Sequence, residues 1–421
     1  MTQNYDVIIV GGGLSGILTA AKINAEFPAK KVALFEADHA LGGRLASLDP
    51  ALRPWAYGFS FINGQLYKHL DTLLKQDPSS EDLASFCPEK LNKIGILAGG
   101  KLTEFLSSDF FSAKAMKAYG GVSAAREWLE VAKIFESQDP DDKNFNHKFP
   151  ISKKSSIATV LEAYARILGI PEFWHAMPQI FAARATELTE GMHCGAWSKP
   201  LTEILGRLQE NFSLSTDCYV VSAKYFAADK QWLLNTRQGD VTCSQLVIAQ
   251  SPWQAQFWLE KSTWPTPLLN VASKSKPVST VCISYQIKNL PAGTAELTLI
   301  PSEDSCALID HDGHVVFHSH IDFEMSLQAP SVMKSVKSLH RAAKKFAAAL
   351  PGLELAHEHI ALLPVGWSLS ASAQDRKYFE KLDLSKLQQH HLMFVGEAYG
   401  KNLIGDVNIL DSLQSAMNVV N

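Results

Sequence analysis

The segment "YDVIIVGGGLSGILTAAKINAEF", close to the amino terminus, constrains the fold more than any other part of the chain. A short β-branched run from Asp6 to Val10 is typical of a buried parallel strand. The run from Leu14 to Phe27 has apolar residues at helical spacing. The glycines Gly11, Gly13 and Gly16 therefore lie at a strand-to-helix turn.

Each of these glycines meets a physical requirement of a bound diphosphate. Gly11 permits the tight turn, Gly13 lets a pyrophosphate approach the backbone, and Gly16 lets the helix pack closely on the strand. The first helical residues, Leu14 and Ser15, add amide donors at the positive end of the helix dipole. The turn therefore predicts a diphosphate site.

A second strand completes a βαβ unit. The run "KVALF", from Lys31 to Phe35, ends in Glu36, which lies 20 residues after Gly16. At this spacing a carboxylate accepts hydrogen bonds from an adenosine ribose, and we include its neighbour Ala37 in the predicted site. A glycine-rich hinge is the alternative interpretation, but it would leave Glu36 without a role. The pattern favours dinucleotide binding.

Six residues after Glu36 comes the loop "GGRLAS", with Gly42, Gly43 and Arg44. Two glycines and a cation suit a loop that wraps a diphosphate. With this loop the sequence resembles the FAD-binding flavoproteins of the flavin amine oxidase and protoporphyrinogen oxidase superfamily. NAD-only Rossmann enzymes have no such element, so the resemblance implies FAD.

Two further segments resemble the same superfamily in the expected order. In "RPWAYGFSFI", Gly58 stands at the family's glycine, whereas Ala56 replaces the usual acid. In the β-rich segment that ends in a buried strand from Gln245 to Ala249, the resemblance implies Val220 as the adenine contact, with Val221 as the neighbouring choice. An ordinary β-meander is the alternative for this segment.

The carboxyl-terminal segment "LMFVGEAYGKNLIGDVNILDSLQSAMNVV" carries the most specific resemblance. A strand from Leu392 to Val395 ends in Gly396 and Glu397, where the family contacts the ribityl chain of FAD. The helix that follows the loop points its dipole at the flavin in this family, and we place Val407 and Ile409 in the predicted site. The segment is closer to the protoporphyrinogen oxidase form than to the amine oxidase form.

Two departures from the amine oxidase pattern bear on the chemistry. The stretch from Pro277 to Ile283 places Ile283 where those enzymes carry a lysine that holds a water at the flavin, which argues against a typical amine oxidase. No cysteine follows Cys306, so the S-linked flavin attachment near the carboxyl terminus is excluded and FAD is expected to be non-covalent. The pattern identifies no catalytic residue.

A chain of 421 residues is too long for one small core, so two domains are expected. The βαβ unit predicts the α/β class for the first of them. The resemblance implies a Rossmann-like FAD-binding domain formed by residues 1–66, 192–261 and 383–421. Residues 67–191 and 262–382 are expected to form a mixed α+β substrate-binding domain.

Local signals predict several elements of that second domain. Ser156 is expected to cap a helix that ends near Gly169. The pair Asp312 and Gly313 is typical of a hairpin turn, and a helix is predicted from Ser331 to Leu350.

Strand alternation after the hairpin turn places His314, His318 and His320 on one face. They could line a cavity, but no nearby ligand set favours a metal site, and a solvated strand face is the preferred interpretation. Arg184 could reach the same pocket, with a surface position as the alternative.

Composition limits the partners. With 39 basic and 43 acidic residues, the net charge of -4 predicts attraction neither to nucleic acid nor to an anionic membrane. No apolar run reaches the roughly 20 residues that span a bilayer, so any membrane contact is expected to be peripheral. Six scattered cysteines without a C-x-x-C pair predict reduced thiols and a cytoplasmic protein.

The resemblance therefore implies an FAD-dependent oxidoreductase, an oxidase or dehydrogenase that removes hydride from a C–H or C–N bond of a largely apolar or amine-like small molecule. Protoporphyrinogen oxidase-like enzymes are the nearest comparison. The alternatives are a carotenoid-desaturase-like enzyme, an amine oxidase, a redox-neutral flavoenzyme such as a mutase, and a non-catalytic FAD-binding protein. The electron acceptor and the oligomeric state are left open.

Overall fold

The computed structural model describes residues 3–43, 61–62, 68, 71–72, 91–136, 149–167, 173–175, 181, 193–194, 212–259, 276–309, 313–368 and 390–396. The described helices are α1 (Leu14–Glu26), α2 (Ala113–Glu136), α3 (Ala158–Ile167), α4 (Pro252–Ala255), α5 (Phe323–Ser326) and α6 (Ala329–Ala349). The described strands are β1 (Gln3–Val10), β2 (Val32–Phe35), β3 (Phe61–Ile62), β4 (Lys93–Ala98), β5 (Lys101–Leu106), β6 (His193–Cys194), β7 (Ser213–Ser215), β8 (Val220–Phe226), β9 (Gln231–Thr236), β10 (Gly239–Ile248), β11 (Lys276–Lys288), β12 (Leu297–Ile300), β13 (Ser305–Ile309), β14 (His314–Asp322), β15 (Glu354–Ser368) and β16 (Leu392–Phe394).

The first sheet combines strands from distant parts of the chain in the order β7-β2-β1-β10-β9-β8, with β16 also paired to β10. The neighbours β7, β2, β1, β10 and β16 run parallel, whereas β8, β9 and β10 are antiparallel. Parallel pairing requires a crossover connection, and α1 supplies it between β1 and β2.

The predicted βαβ unit is confirmed, with boundaries shifted by three residues at most. The second half of β1 and the whole of β2 are buried, as expected for strands covered on both faces. Helix α1 packs on them with Ile17, Leu18 and Ile23, all fully buried. Full burial of such side chains stabilises the fold by about 1.5–3 kcal/mol each.

The second sheet has the strand order β15-β11-β14-β13-β12-β4-β5. Helix α6 packs on one face through Val336, Leu339 and Phe346, which join an apolar cluster with Ile283 and Phe317. Helices α2 and α3 belong to the cluster on the opposite face, which is rich in aromatic rings. The sheet is therefore covered on both faces by helices.

Three local predictions can be compared with these elements. Helix α6 lies within two residues of the predicted range at its start and one at its end. The hairpin is confirmed as β13 and β14, with Gly313 at φ +80°. The predicted helix cap is wrong, because the Ser156 hydroxyl donates instead to Glu127, at 2.6 Å, and the described part of the helix begins at Ala158.

Candidate functional site

The parallel strands of the first sheet end at the same level. Val10 pairs in register with Phe35 and with Ile248, and Ile248 pairs with Phe394. The next residues are held across this edge: the Gly11 amide donates to the Phe35 carbonyl at 2.8 Å. The segments that follow β1, β2, β10 and β16 therefore meet at the carboxyl edge, where open α/β sheets bind ligands.

The three predicted glycines of the turn after β1 have distinct environments. Gly11 has φ +112°, which favours glycine in the turn. A Cβ atom on Gly16 would lie 1.8 Å from the Gly11 carbonyl oxygen, so this position packs the helix on the strand. A Cβ atom on Gly13 would have no described protein atom within 4 Å. Of the three glycines, Gly13 is therefore the one whose backbone no described residue covers.

Glu36 ties the end of β2 to this turn. Its Oε2 accepts a hydrogen bond from the Gly12 amide at 2.6 Å, and its Oε1 accepts one from the Asp38 amide at 2.9 Å. Burial raises the pKa of Glu36, although the bonds from Asp38 and Gly12 oppose that shift. A carboxylate oxygen can accept more than one hydrogen bond, so Glu36 keeps capacity for ligand hydroxyls.

Gly12 is a site residue that the sequence prediction missed. A Cβ atom there would lie 2.4 Å from Leu41 Cδ2 and 2.9 Å from Glu36 Cβ. Its presence inside a run of three glycines was the available signal, but the dinucleotide pattern assigns roles only to Gly11, Gly13 and Gly16.

The second glycine pair lies against the first turn. The Gly42 amide donates to the Gly12 carbonyl at 2.8 Å, and Gly13 and Gly42 form an isolated parallel bridge. A Cβ atom on Gly43 would lie 3.3 Å from Gly13 Cα. The predicted loop therefore lies against the turn, whereas its cation, Arg44, lies outside the described residues.

The amino terminus of α1 also opens toward this edge. Its N-cap, Gly13, makes no side-chain capping bond, and the first turn contains no acidic residue. Leu14 is buried, while Ser15 is half-buried and lies next to Gly396. A helix of this length with an uncapped amino terminus offers backbone donors and a positive dipole end to an anion.

The segment before β8 lies beside Glu36. The Cys218 amide donates to the Glu36 carbonyl at 2.8 Å, and the Glu36 amide donates to Ser215 at 2.9 Å. Val220 follows with a buried side chain, whereas the side chain of Val221 is 54% exposed. The structure thus brings Val220 and the exposed Ala37 to the Glu36 end of the edge, and the assignment of Val220 to adenine stays a prediction.

Several predicted site residues lie outside the described residues: Gly58, Glu397, Val407 and Ile409, together with Arg44. Ala56 and Arg184 also lie outside them. The described candidate site therefore consists of Gly11, Gly12, Gly13, Leu14, Ser15, Gly16, Glu36, Ala37, Gly42, Gly43, Val220 and Gly396.

Two residues singled out in the sequence lie in the second sheet. Ile283, which stands where the amine oxidases carry a lysine, is fully buried beneath α6, so its side chain belongs to the core. A solvated face does not describe His318, because its Nε2 lies 2.8 Å from Cys306 Sγ and burial lowers its pKa to about 4. Burial and the neighbouring Cys282 raise the pKa of Cys306, so the thiol stays protonated beside the imidazole.

Comparison with known proteins agrees with this geometry. Residues 9–76 match the model of the NAD(P)-binding Rossmann-like domain. A segment of 43 residues is 56% identical to MymA of Mycobacterium tuberculosis, named as a proposed FAD-containing monooxygenase, but it spans only 10% of this chain and 9% of that relative.

Solved structures resemble the whole chain. A proposed protoporphyrinogen oxidase from Exiguobacterium sp. 255-15 superposes with a TM-score of 0.63 at 15% identity, covering 100% of this chain and 98% of the other. Putrescine oxidase bound to putrescine gives 0.68 at 14% identity, covering 100% of both chains. A fatty acid isomerase from P. acnes gives 0.65 at 10% identity, covering 99% and 98%. These likenesses confirm the predicted fold class.

Proposed function

We propose that this chain is an FAD-dependent oxidoreductase. The observation that carries the proposal is the open backbone at Gly13, which lies at the same strand edge as the Glu36 carboxylate. A dinucleotide requires both a bare backbone for its diphosphate and a carboxylate for its ribose. The match of the amino-terminal residues to a dinucleotide-binding model and the short identity with MymA support this proposal.

The described residues fit FAD. The uncapped start of α1 supplies amides for the diphosphate, and Glu36 accepts from the ribose. The backbone near Val220 would hold the adenine, and Gly396 with Glu397 would lie at the ribityl chain. Arg44 is proposed to pair with the diphosphate.

When bound, FAD supplies the capacity to accept a hydride from an oxidisable C–H or C–N bond. The chain's own task is then to hold the cofactor, orient the substrate and exclude water. Glu36 and Gly12 fix the turn through their 2.6 Å hydrogen bond, and Gly43 keeps the second loop against Gly13. No residue is assigned a catalytic role.

We propose the domain boundaries that the resemblance implies, and the distribution of the described strands between the two sheets supports them. All strands of the first sheet lie within residues 1–66, 192–261 and 383–421, the proposed cofactor domain. All strands of the second sheet lie within residues 67–191 and 262–382, the proposed substrate domain.

For the substrate we propose a largely apolar or amine-like small molecule. The resemblance of the carboxyl-terminal segment to protoporphyrinogen oxidases favours a protoporphyrinogen oxidase-like reaction over a typical amine oxidase. One observation favours a second candidate, a redox-neutral flavoenzyme: the fatty acid isomerase with the same fold catalyses, by its name, a reaction without net oxidation.

The test is to follow the flavin absorbance of the purified protein without oxygen while adding porphyrinogens, polyamines, monoamines, carotenoid precursors, unsaturated fatty acids and NADPH in turn. Rapid bleaching by one class would support the oxidoreductase and identify its substrate. If only NADPH bleaches the flavin, and a fatty acid is then isomerised, the redox-neutral candidate is correct. A colourless protein that takes up no FAD would refute both.

We also propose a cytoplasmic location. Four cysteines whose side chains the structure describes are free thiols: Cys218, Cys243, Cys282 and Cys306. Among the described helices, none is both long and apolar enough to cross a bilayer.

A further inference from the structure

Helix α6 combines charge and apolar exposure in a way that the proposed cofactor site does not use. Its 21 residues carry five Lys or Arg side chains and no Asp or Glu, although the whole chain has a net charge of -4. The whole-chain charge, from which the sequence predicted no attraction to an anionic membrane, therefore conceals a local basic surface.

Two of the five cations serve the fold. Glu303, which is buried, pairs with Arg341 Nε at 2.9 Å and with Lys345 Nζ at 2.5 Å. The other three, Lys334, Lys337 and Lys344, are exposed and make no ion pair with any residue that the structure describes. The helix therefore presents to solvent three positive charges that no described carboxylate pairs with.

Large apolar side chains are exposed around the start of α6: one in α5, one in the connection between the two helices and one in α6 itself. Leu327 is 72% exposed, Met333 is 51% exposed and Met325 is 44% exposed. Side chains on a helix tilt toward its amino terminus. The Met333 side chain therefore lies over the first turn of α6, which begins two residues after Leu327. Lys337 lies four residues after Met333, on the same side of the helix.

We propose that the corner between α5 and α6 docks on an anionic phospholipid surface. We define this docking corner as Met325, Leu327, Met333, Lys334, Lys337 and Lys344. Apolar side chains enter the headgroup boundary while adjacent lysines attract anionic lipid, which is how interfacial helices bind. The buried face of α6, with Leu339 and Phe346, stays packed on the second sheet, so docking requires no unfolding.

The charge pattern favours a lipid surface over an acidic protein groove. An acidic protein surface could pair with the lysines. The burial of Leu327 and Met333 is favourable only where an apolar layer receives them, as the acyl chains of a membrane do. Lys337 lies one turn from Met333, and Lys344 lies two turns farther along the same side of α6. The apolar end and the lysines therefore lie along one side of the helix, which can face a headgroup layer.

The test is flotation of the full chain with phosphatidylcholine vesicles, with and without phosphatidylglycerol, at low and high salt. We expect binding only to the anionic vesicles, weakened by salt. The double variant Lys337→Glu, Lys344→Glu should weaken that binding about twentyfold or more, since each lysine near the surface contributes to the attraction. Leu327→Ser should weaken it about tenfold through lost apolar burial.

A matched control reverses two exposed lysines on another helix. Lys114→Glu, Lys117→Glu on α2 makes the same change in net charge and should leave vesicle binding within about twofold of the unmodified chain, because neither lysine lies at the docking corner. Circular dichroism would show that all variants are folded.

Three results would overturn the proposal. The first is a folded chain that does not float with anionic vesicles. The second is equal loss of binding in the α2 and α6 variants, which would indicate a net-charge effect. The third is salt-sensitive binding to polyglutamate without binding to vesicles, which would identify an acidic protein as the partner.

Discussion

Gly396 lies against Ser15, although 381 positions separate them in the sequence. A Cβ atom on Gly396 would be 3.4 Å from the Ser15 hydroxyl oxygen, and Gly396 has φ +132°, which disfavours any other residue. This contact brings the segment after β16 to the amino terminus of α1. The most specific carboxyl-terminal signal and the glycine turn thus belong to one edge of one sheet.

The same substitution at two glycines should separate binding from folding. Gly13→Ala places a methyl group in open space at ordinary backbone angles, so the apoprotein's stability should change by less than about 1 kcal/mol. Because that space is proposed to hold the FAD diphosphate, affinity should fall at least about tenfold. FAD fluorescence titration and urea unfolding of the apoprotein measure the two effects.

Gly16→Ala is the matched partner of that experiment. Its methyl group would lie 1.8 Å from the Gly11 carbonyl oxygen, so strand and helix must move apart. We expect a loss of stability of about 3 kcal/mol or more. An unchanged FAD affinity in Gly13→Ala would contradict the placement of the diphosphate, even if Gly16→Ala behaves as expected.

Replacement of Glu36 should weaken FAD binding. Glu36→Ala removes the proposed ribose acceptor and leaves the Gly12 amide without its 2.6 Å partner, so affinity should fall about ten- to a hundredfold. Glu36→Gln keeps one acceptor oxygen and should have a smaller effect. Asp38→Ala is the control, since only the backbone of Asp38 bonds to Glu36. If all three variants bind FAD with equal affinity, the assignment of Glu36 to the ribose is wrong.

The sequence predicted the glycine site because its signals are local. Gly11, Gly13 and Gly16 fix where β1 ends and α1 begins, and Glu36 follows at a fixed distance. The bond between Gly12 and Glu36 was not predictable, because it depends on how two loops meet after both have folded.

The second sheet shows what alternation alone leaves open. Period-two spacing assigns residues to two faces but does not tell which face α6 covers, so it could not place Ile283 in the core. His318 lies opposite Cys306 because of the register between β13 and β14. The D-G signal predicts a turn but does not fix which residues of the two strands face each other.

His318 should make stability depend on pH between about 6.5 and 4. Burial lowers its pKa to about 4, so the unfolded chain takes up a proton at a pH where the folded chain does not. The free energy of unfolding is therefore highest well above pH 6.5, where both states are deprotonated. It falls as pH decreases, by about 2 kcal/mol between pH 7 and pH 5. Urea unfolding at both pH values should show a smaller decrease in His318→Gln.

The neighbouring thiol provides a control for that result. Cys306→Ala removes the partner of His318 but leaves the imidazole in the fold. Since burial causes the shift, this variant should keep most of the pH dependence, whatever its overall stability. If Cys306→Ala and His318→Gln lose the pH dependence equally, the hydrogen bond and not burial determines the pKa.

Glu303 should stabilise the attachment of α6 above acidic pH. Burial opposes ionisation, but contacts with Lys345, Ser338 and Arg341 outweigh it and lower the pKa of Glu303. The unfolded chain therefore binds a proton near the ordinary glutamate pKa while the folded chain does not, so this contribution is present above that pH and is lost as pH falls through the lowered value.

Glu303→Gln leaves two cations without their buried partner, but both are about half-exposed and regain water. We therefore expect a cost of about 1–2 kcal/mol at pH 7, less than for a fully buried pair. Glu130→Gln, which breaks the exposed pair with Lys133, should cost less than about 0.5 kcal/mol. Urea unfolding at pH 7 compares the two, and equal costs would show that burial of Glu303 adds nothing.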